Sequence, residues 1–348
     1  MPRTGLWILG LLAACTCLRS ESAEAMNFYV QPGQSIQAAI DKAGAGDTIM
    51  IYGRPGYTYR IVNSLVLKPG LILEGHGNPF ILTDWSVTLL SYTMLRGLTL
   101  TTGAGGSVPV LFNWVLFVPA TTQGAVVEHC LLLGDVRIEG RGTLVEESII
   151  RGRGEYPLYI VGSSNQIVHD VIESLGGLDV ANPNEPSHPG FDPVVLLQGA
   201  DNHIVGSTVY GWGTVTINGF VSSSWGIRVG YQTDTGTGNQ ITNTIIAHNG
   251  AGDIASLGGS VDVSYSLLDD AGASDPRVVL GPQVQLGVNP QFVDPTVHDF
   301  RLRVTSPAID TGRIFNNRYP FILLSLDDDG TPPDLGALPF DQRLTRTH

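Results

Sequence analysis

Ile167-Val168-His169-Asp170-Val171-Ile172 returns as Ile204-Val205-Gly206-Ser207-Thr208-Val209 and again as Ile241-Thr242-Asn243-Thr244-Ile245-Ile246. In each block two apolar anchors stand five positions apart, with small or polar residues between them. An asparagine lies two residues ahead of each block, at Asn165, Asn202 and Asn239. The same frame fits Val126 to Leu131, Leu144 to Ile149, Leu95 to Leu100 and, more loosely, Val263 to Leu268. Anchors placed at Leu95, Val126, Leu144, Ile167, Ile204, Ile241 and Val263 are separated by 31, 18, 23, 37, 37 and 22 residues. A short interval suits one coil of stacked strands, and a long one suits a coil plus an insertion, or two coils. Hairpin signals between paired strands are scarce, which argues against an antiparallel sandwich. The expected fold is all-β: one single-domain right-handed parallel β-helix.

Composition agrees. The 348 residues are 43% hydrophobic and 15% charged, so the chain is neither disordered nor highly solvated. Forty-three glycines disfavour long helices. Lys42 and Lys68 are the only lysines and the net charge is -13, so no basic stripe is present to displace the counterions of a nucleic acid. A nucleic-acid partner is therefore not expected.

The first 25 residues read as an export signal: Arg3, then the apolar run Leu6 to Ala14. Ala23-Glu24-Ala25 offers one cleavage site. Leu12-Ala13-Ala14-Cys15 resembles a bacterial lipobox and offers another, leaving a lipid anchor at Cys15 as the one route to a membrane. No later stretch has the ~20 apolar residues of a span. The expected location is secreted or in a bacterial cell envelope, as a monomer. Past the signal only Cys130 remains, so no internal disulfide is expected.

Ser35 to Gly44 carries the one helix signal, with Ser35 as cap and Ile36, Ala39, Ile40 and Ala43 on one face. A short helix ahead of a strand array can plug the open end of a solenoid. The expected organisation is a β-helix over 26–285 with that cap helix at 35–44, then a C-terminal capping segment over 286–348.

Gln34-Ser35-Ile36-Gln37-Ala38-Ala39-Ile40 with Gly46-Asp47-Thr48-Ile49 resembles the opening coil of pectate-lyase-like β-helix proteins. Asn289-Pro290-Gln291-Phe292-Val293-Asp294-Pro295, Ser306-Pro307-Ala308-Ile309-Asp310-Thr311-Gly312 and Asp334-Leu335-Gly336-Ala337 resemble that superfamily's closing segment. The resemblance implies an exported protein that acts on or binds an acidic polysaccharide. Its members include uronate lyases, glycoside hydrolases, uronan epimerases and non-catalytic surface proteins. A glycan-binding, adhesive or structural surface protein is the alternative to a lyase, and a hydrolase the third choice.

Stacked coils lie about 4.8 Å apart, so side chains at equivalent positions form columns. Aligning the anchors puts Glu128, Glu146 and His169 in one column and His129, Glu147 and Asp170 in the next. Like carboxylates at that spacing raise one another's pKa unless a cation intervenes, and Ca²⁺ accepts such oxygens. Glu128, Glu146, Glu147 and Asp170 are thus candidate ligands for calcium, which lyases of the resembling superfamily commonly bind. A lyase also needs a base, and with lysine nearly absent the candidates are His169, Arg151 and Arg228. The proline-rich insertion between Gly176 and Val194 carries Asp179, Glu185, His188 and Asp192, and the next long interval carries Trp212 and Trp225. These are candidate substrate-binding residues.

Overall fold

The computed structural model describes residues 24–103, 114–152, 156–175, 193–217, 220–231, 236–270, 275–314 and 330–338. The expectations for the signal segment and Cys15, and for Asp179, Glu185, His188 and Asp192, concern residues outside these. So does any account of residues 315–329.

Three parallel sheets run the length of the molecule. Sheet A has eleven strands, from Asn27–Val30 to Val278–Leu280, and from the second of these, Thr48–Tyr52, each is followed by a sheet B strand, from Thr58–Ile61 to Gln285–Leu286. Sheet C has eight strands, from Leu65–Val66 to Gly252–Ser256. The chain visits A, B and C in turn, and each coil pairs in parallel with the next. This is the expected parallel β-helix. The long intervals are single coils with an insertion, because Ile167 pairs directly with Ile204 and Ile204 with Ile241. Every long insertion falls between a sheet B strand and the following sheet C strand. One contains the antiparallel pairing of Thr214–Ile217 with Phe220–Ser223.

The core is three apolar columns. Leu95, Val127, Val145, Ile167, Ile204, Ile241 and Val263 point inward from sheet A, all fully buried. Leu100, Leu132, Ile150, Ile172, Val209, Ile246 and Leu268 do so from sheet B. Two expected anchors therefore slip by one residue: Val127 and Val145 face inward, where the frame placed Val126 and Leu144. In a pleated strand a slip of one exchanges the faces.

Turns between sheets are built from buried hydrogen-bond ladders. Between A and B, in the coils from His129 onward, a residue at positive φ (His129, Glu147, His169, Gly206, Asn243 and Tyr265) is followed by a small buried residue, Cys130, Ser148, Asp170, Ser207, Thr244 or Ser266. The backbone N–H of Cys130 donates to Ser148 Oγ, that of Ser148 to Asp170 Oδ1, and that of Asp170 to Ser207 Oγ. Thr244 continues the chain to Ser266. Between C and A, Asn165, Asn202 and Asn239 form a second ladder. The N–H of Thr143, Asn165 and Asn202 each donates to the asparagine of the next coil at 2.8–3.0 Å. The three amide groups also bond Gly140, Gly162 and Gly199 carbonyls at 3.1 Å. Coils pack so closely here that a Cβ on Gly162 would lie 1.7 Å from Gly140 O, which only glycine avoids.

Helix α1 (Ile36–Lys42) seals the N-terminal end as expected: Ser35 Oγ accepts from Ala38 N, and Ile36 and Ile40 are buried in the core. The described C-terminal residues are irregular in structure apart from a short antiparallel pair, Phe292–Asp294 with Asp299–Leu302, and one turn of 3-10 helix. They lie along the outer face of sheet B, where Phe292, Phe300, Leu302, Ala308 and Leu335 bury Val171, Ile245 and Leu267. Asn243 exchanges hydrogen bonds with the Arg313 backbone, and Thr208 Oγ1 accepts from Ala337 N.

Near the last coils, Asp253 is buried, accepting from Asn249 Nδ2 and Asp270 N. Burial pushes Asp253 up to about 7 from 3.8. Between those pH values the unfolded chain ionises while the folded one keeps its proton, so this contribution to stability falls as pH rises. Asp253→Asn, which cannot ionise, should show a shallower decline of melting temperature across that window than the wild type. Parallel curves would refute it.

Candidate functional site

The predicted site residues that are described fall on three different sheets and on the turn between A and B. On sheet A's outer surface Glu74, Arg96, Glu128 and Glu146 form one column, and the next position is Val168, not His169. His169 belongs to the turn column of His129 and Glu147, and Asp170 to the inner ladder. The expected columns were thus misaligned at this coil by the same one-residue slip.

This set does not fit calcium. Asp170 is fully buried, its oxygens accepting the N–H groups of Ser148 at 2.7 Å and Val168 at 3.0 Å. Burial holds its pKa well above the usual carboxylate value. Arg96 is bonded to Glu128, and His129 lies 2.6 Å from Glu147. Glu146 is pushed up by burial and then by Glu147 and Glu128. Among the described residues no three His, Cys, Asp or Glu side chains converge on a common point. His169 is held down chiefly by burial, with its ring over Gly206.

Arg151 is a brace for the C-terminal segment. Its Nε lies 3.0 Å from buried Glu173 on sheet B, whose other oxygen is 2.6 Å from His298 Nδ1. Trp212, also on the sheet B strand Thr208–Ile217, keeps its indole N–H buried with no hydrogen-bond partner among the described residues.

Trp225 and Arg228 sit on sheet C, and that sheet's outer face carries the richest array of ligand-type side chains. Its strands alternate, so Val136, Ile138, Leu158 and Ile160 point inward while Arg137 and Tyr159 point out. Register stacks Phe117, Arg137, Tyr159, Leu196 and Arg228 in one outward column. The Arg137 guanidinium lies 5.5 Å from the Trp114 ring and 4.9 Å from the Tyr159 ring. Glu139 fixes it through Nε at 2.7 Å and Nη2 at 2.5 Å. Tyr156 packs against Tyr159 at 5.5 Å, and the Tyr159 hydroxyl donates to Gln198 at 2.5 Å. At one end Trp85, 54% exposed, helps Trp114, Phe117, Arg137 and Glu139 enclose a depression of about 200 Å³. Trp114, Phe117, Arg137 and Tyr159 were not among the predicted residues. The available signal was aromatic and arginine side chains alternating with aliphatics, as in Asp135-Val136-Arg137-Ile138-Glu139.

Architecture places this chain among the parallel β-helix proteins. No family model matches its sequence, and no curated protein does. Solved structures that resemble it include pectate lyase Pel9A, with a TM-score of 0.48 at 15% identity over 91% of this chain and 96% of that one. Another is the Dettilon tailspike protein (gp208), with a TM-score of 0.42 at 11% identity over 75% of this chain and 67% of that one.

Proposed function

We propose that the outer face of sheet C binds a polysaccharide, specifically an acidic one, and that the protein is exported to do so. The observation that carries this is the Trp114–Arg137–Tyr159 group, continued along the solenoid by Trp85 at one end and, beyond buried Leu196, by Arg228 at the other. Aromatic rings pack against the apolar faces of sugar rings. Guanidinium groups recognise carboxylates in planar, bidentate geometry. Such groups spaced along several coils suit an extended ligand lying along the solenoid axis.

Binding alone explains the geometry. A uronate lyase would in addition need a base beside the proton α to the carboxylate. Of the three bases considered, Arg228 alone lies on this face, and it takes that role in the lyase reading. His169 and Arg151 belong to other faces.

Affinity electrophoresis through polygalacturonate, alginate and chondroitin, with neutral dextran as control, tests binding. Retardation is expected in at least one polyuronate and not in dextran. Ultraviolet absorbance of unsaturated products then reads elimination, and Arg228→Ala should remove any that is seen. Equal mobility in every gel would end the proposal.

A further inference from the structure

Between sheet B and the C-terminal segment lies a cavity of about 350 Å³ that the sheet C face does not touch. Tyr210, His248 and Asp269 form the solenoid wall, and Gln291, Phe292 and Arg303 form the opposite one.

The solenoid wall is preset. His248, at φ 61, stacks on Tyr210 with ring centres 4.9 Å apart and planes 3° from parallel. Its Nδ1 lies 3.1 Å from Gly211 O. A carbonyl can only accept, so Nδ1 carries the hydrogen and Nε2 of the neutral ring carries the lone pair. Asp269 accepts from His248 N at 2.8 Å. The facing wall offers a cation. Arg303 Nη2 donates to Val293 O at 2.7 Å, and among the described residues no carboxylate pairs with this arginine. Phe292, 6% exposed and packed edge-on to Tyr210, adds an apolar edge to that facing wall.

Few polar groups over an aromatic base, in a cavity of this size, is the composition of a small-ligand pocket. We propose that this cavity binds a single sugar acid. Its carboxylate would meet Arg303, its hydroxyls Asp269 and His248 Nε2, and its apolar ring face Phe292. A neutral hexose leaves the arginine without a counter-charge, and a simple inorganic anion leaves the aromatic surface and the acceptors unused.

Saturation-transfer NMR and calorimetry on the full chain, with galacturonate, glucuronate and glucose as probes, test this. A uronate should bind and glucose should bind at least tenfold more weakly. Arg303→Ala and Asp269→Asn should each weaken the uronate tenfold or more. Tyr29→Ala, on the far sheet, should change nothing, and unchanged melting of Arg303→Ala confirms its fold. Failure of both uronates to bind, equal affinity in Arg303→Ala, or a loss that follows Arg137→Ala instead would overturn the assignment.

Discussion

Asp170→Ala should lower stability by roughly 2–6 kcal/mol in urea unfolding, more than the loss expected from most point substitutions. The carboxylate is the acceptor for two buried backbone donors, Ser148 N and Val168 N. Removing it strands both, and each unsatisfied buried N–H costs about 1–3 kcal/mol. Ser207→Ala removes the hydroxyl that accepts from Asp170 N, one backbone donor, and should cost about half as much. Glu147→Ala, in the same turn column but with a half-exposed side chain, should stay within about 0.5 kcal/mol. Because burial raises the Asp170 pKa above 3.8, the wild-type contribution is greatest at low pH and falls as pH rises through the folded value. The gap between wild type and Asp170→Ala should therefore narrow with rising pH. Similar losses for Asp170→Ala and Glu147→Ala would show that the ladder carries no special share of stability.

The same ladder explains how far the fold was legible. Repetition of the anchor frame was enough for the parallel stack, because apolar residues at fixed spacing must face a shared core. It was not enough for register in the earlier coils. Val126-Val127 and Leu144-Val145 each offer two adjacent aliphatics, and either fits the frame. The turn decides between them: Cys130, Ser148 and Asp170 occupy one buried column, and aligning on those small polar residues puts Val127 and Val145 inward. The asparagines at 165, 202 and 239 were visible as a repeat. Their purpose, bonding one coil to the next, emerges only when the coils are stacked.

Less of the site could be read. Acids and histidines drew attention because they lie inside the repeated frame, yet there they pair with one another or with backbone. Sheet C strands lack that frame, so Trp114, Phe117 and Arg137 went unnoticed, while Trp225 and Arg228 were found through the long interval that holds them. The Glu173–His298 contact joins residues 125 apart. No local pattern announces it, and without it Arg151 looks like an unengaged base.

Arg137→Ala should reduce polyuronate retention tenfold or more while leaving the solenoid folded. The guanidinium lies against two neighbouring rings and is bonded to Glu139, so its position is fixed before any ligand arrives, and little ordering entropy is lost on binding. Its cation–π contacts at a partly exposed site are each worth about 0.5–1 kcal/mol, which limits the cost to folding. Arg137→Lys keeps the charge but loses the planar fork and the stacking, so its retention should fall between wild type and alanine. Glu139→Gln has the opposite sign: removing the competing carboxylate frees the guanidinium for the ligand's own, and retention should rise. All of these differences should shrink with added salt, because the charges on this face reach solvent. If the lysine variant and the wild type bind equally, point charge suffices and the contacts of the guanidinium with Trp114 and Tyr159 have no part in recognition. If Glu139→Gln weakens binding, the ligand uses that carboxylate as an acceptor for hydroxyls, and the groove selects neutral sugars over acidic ones.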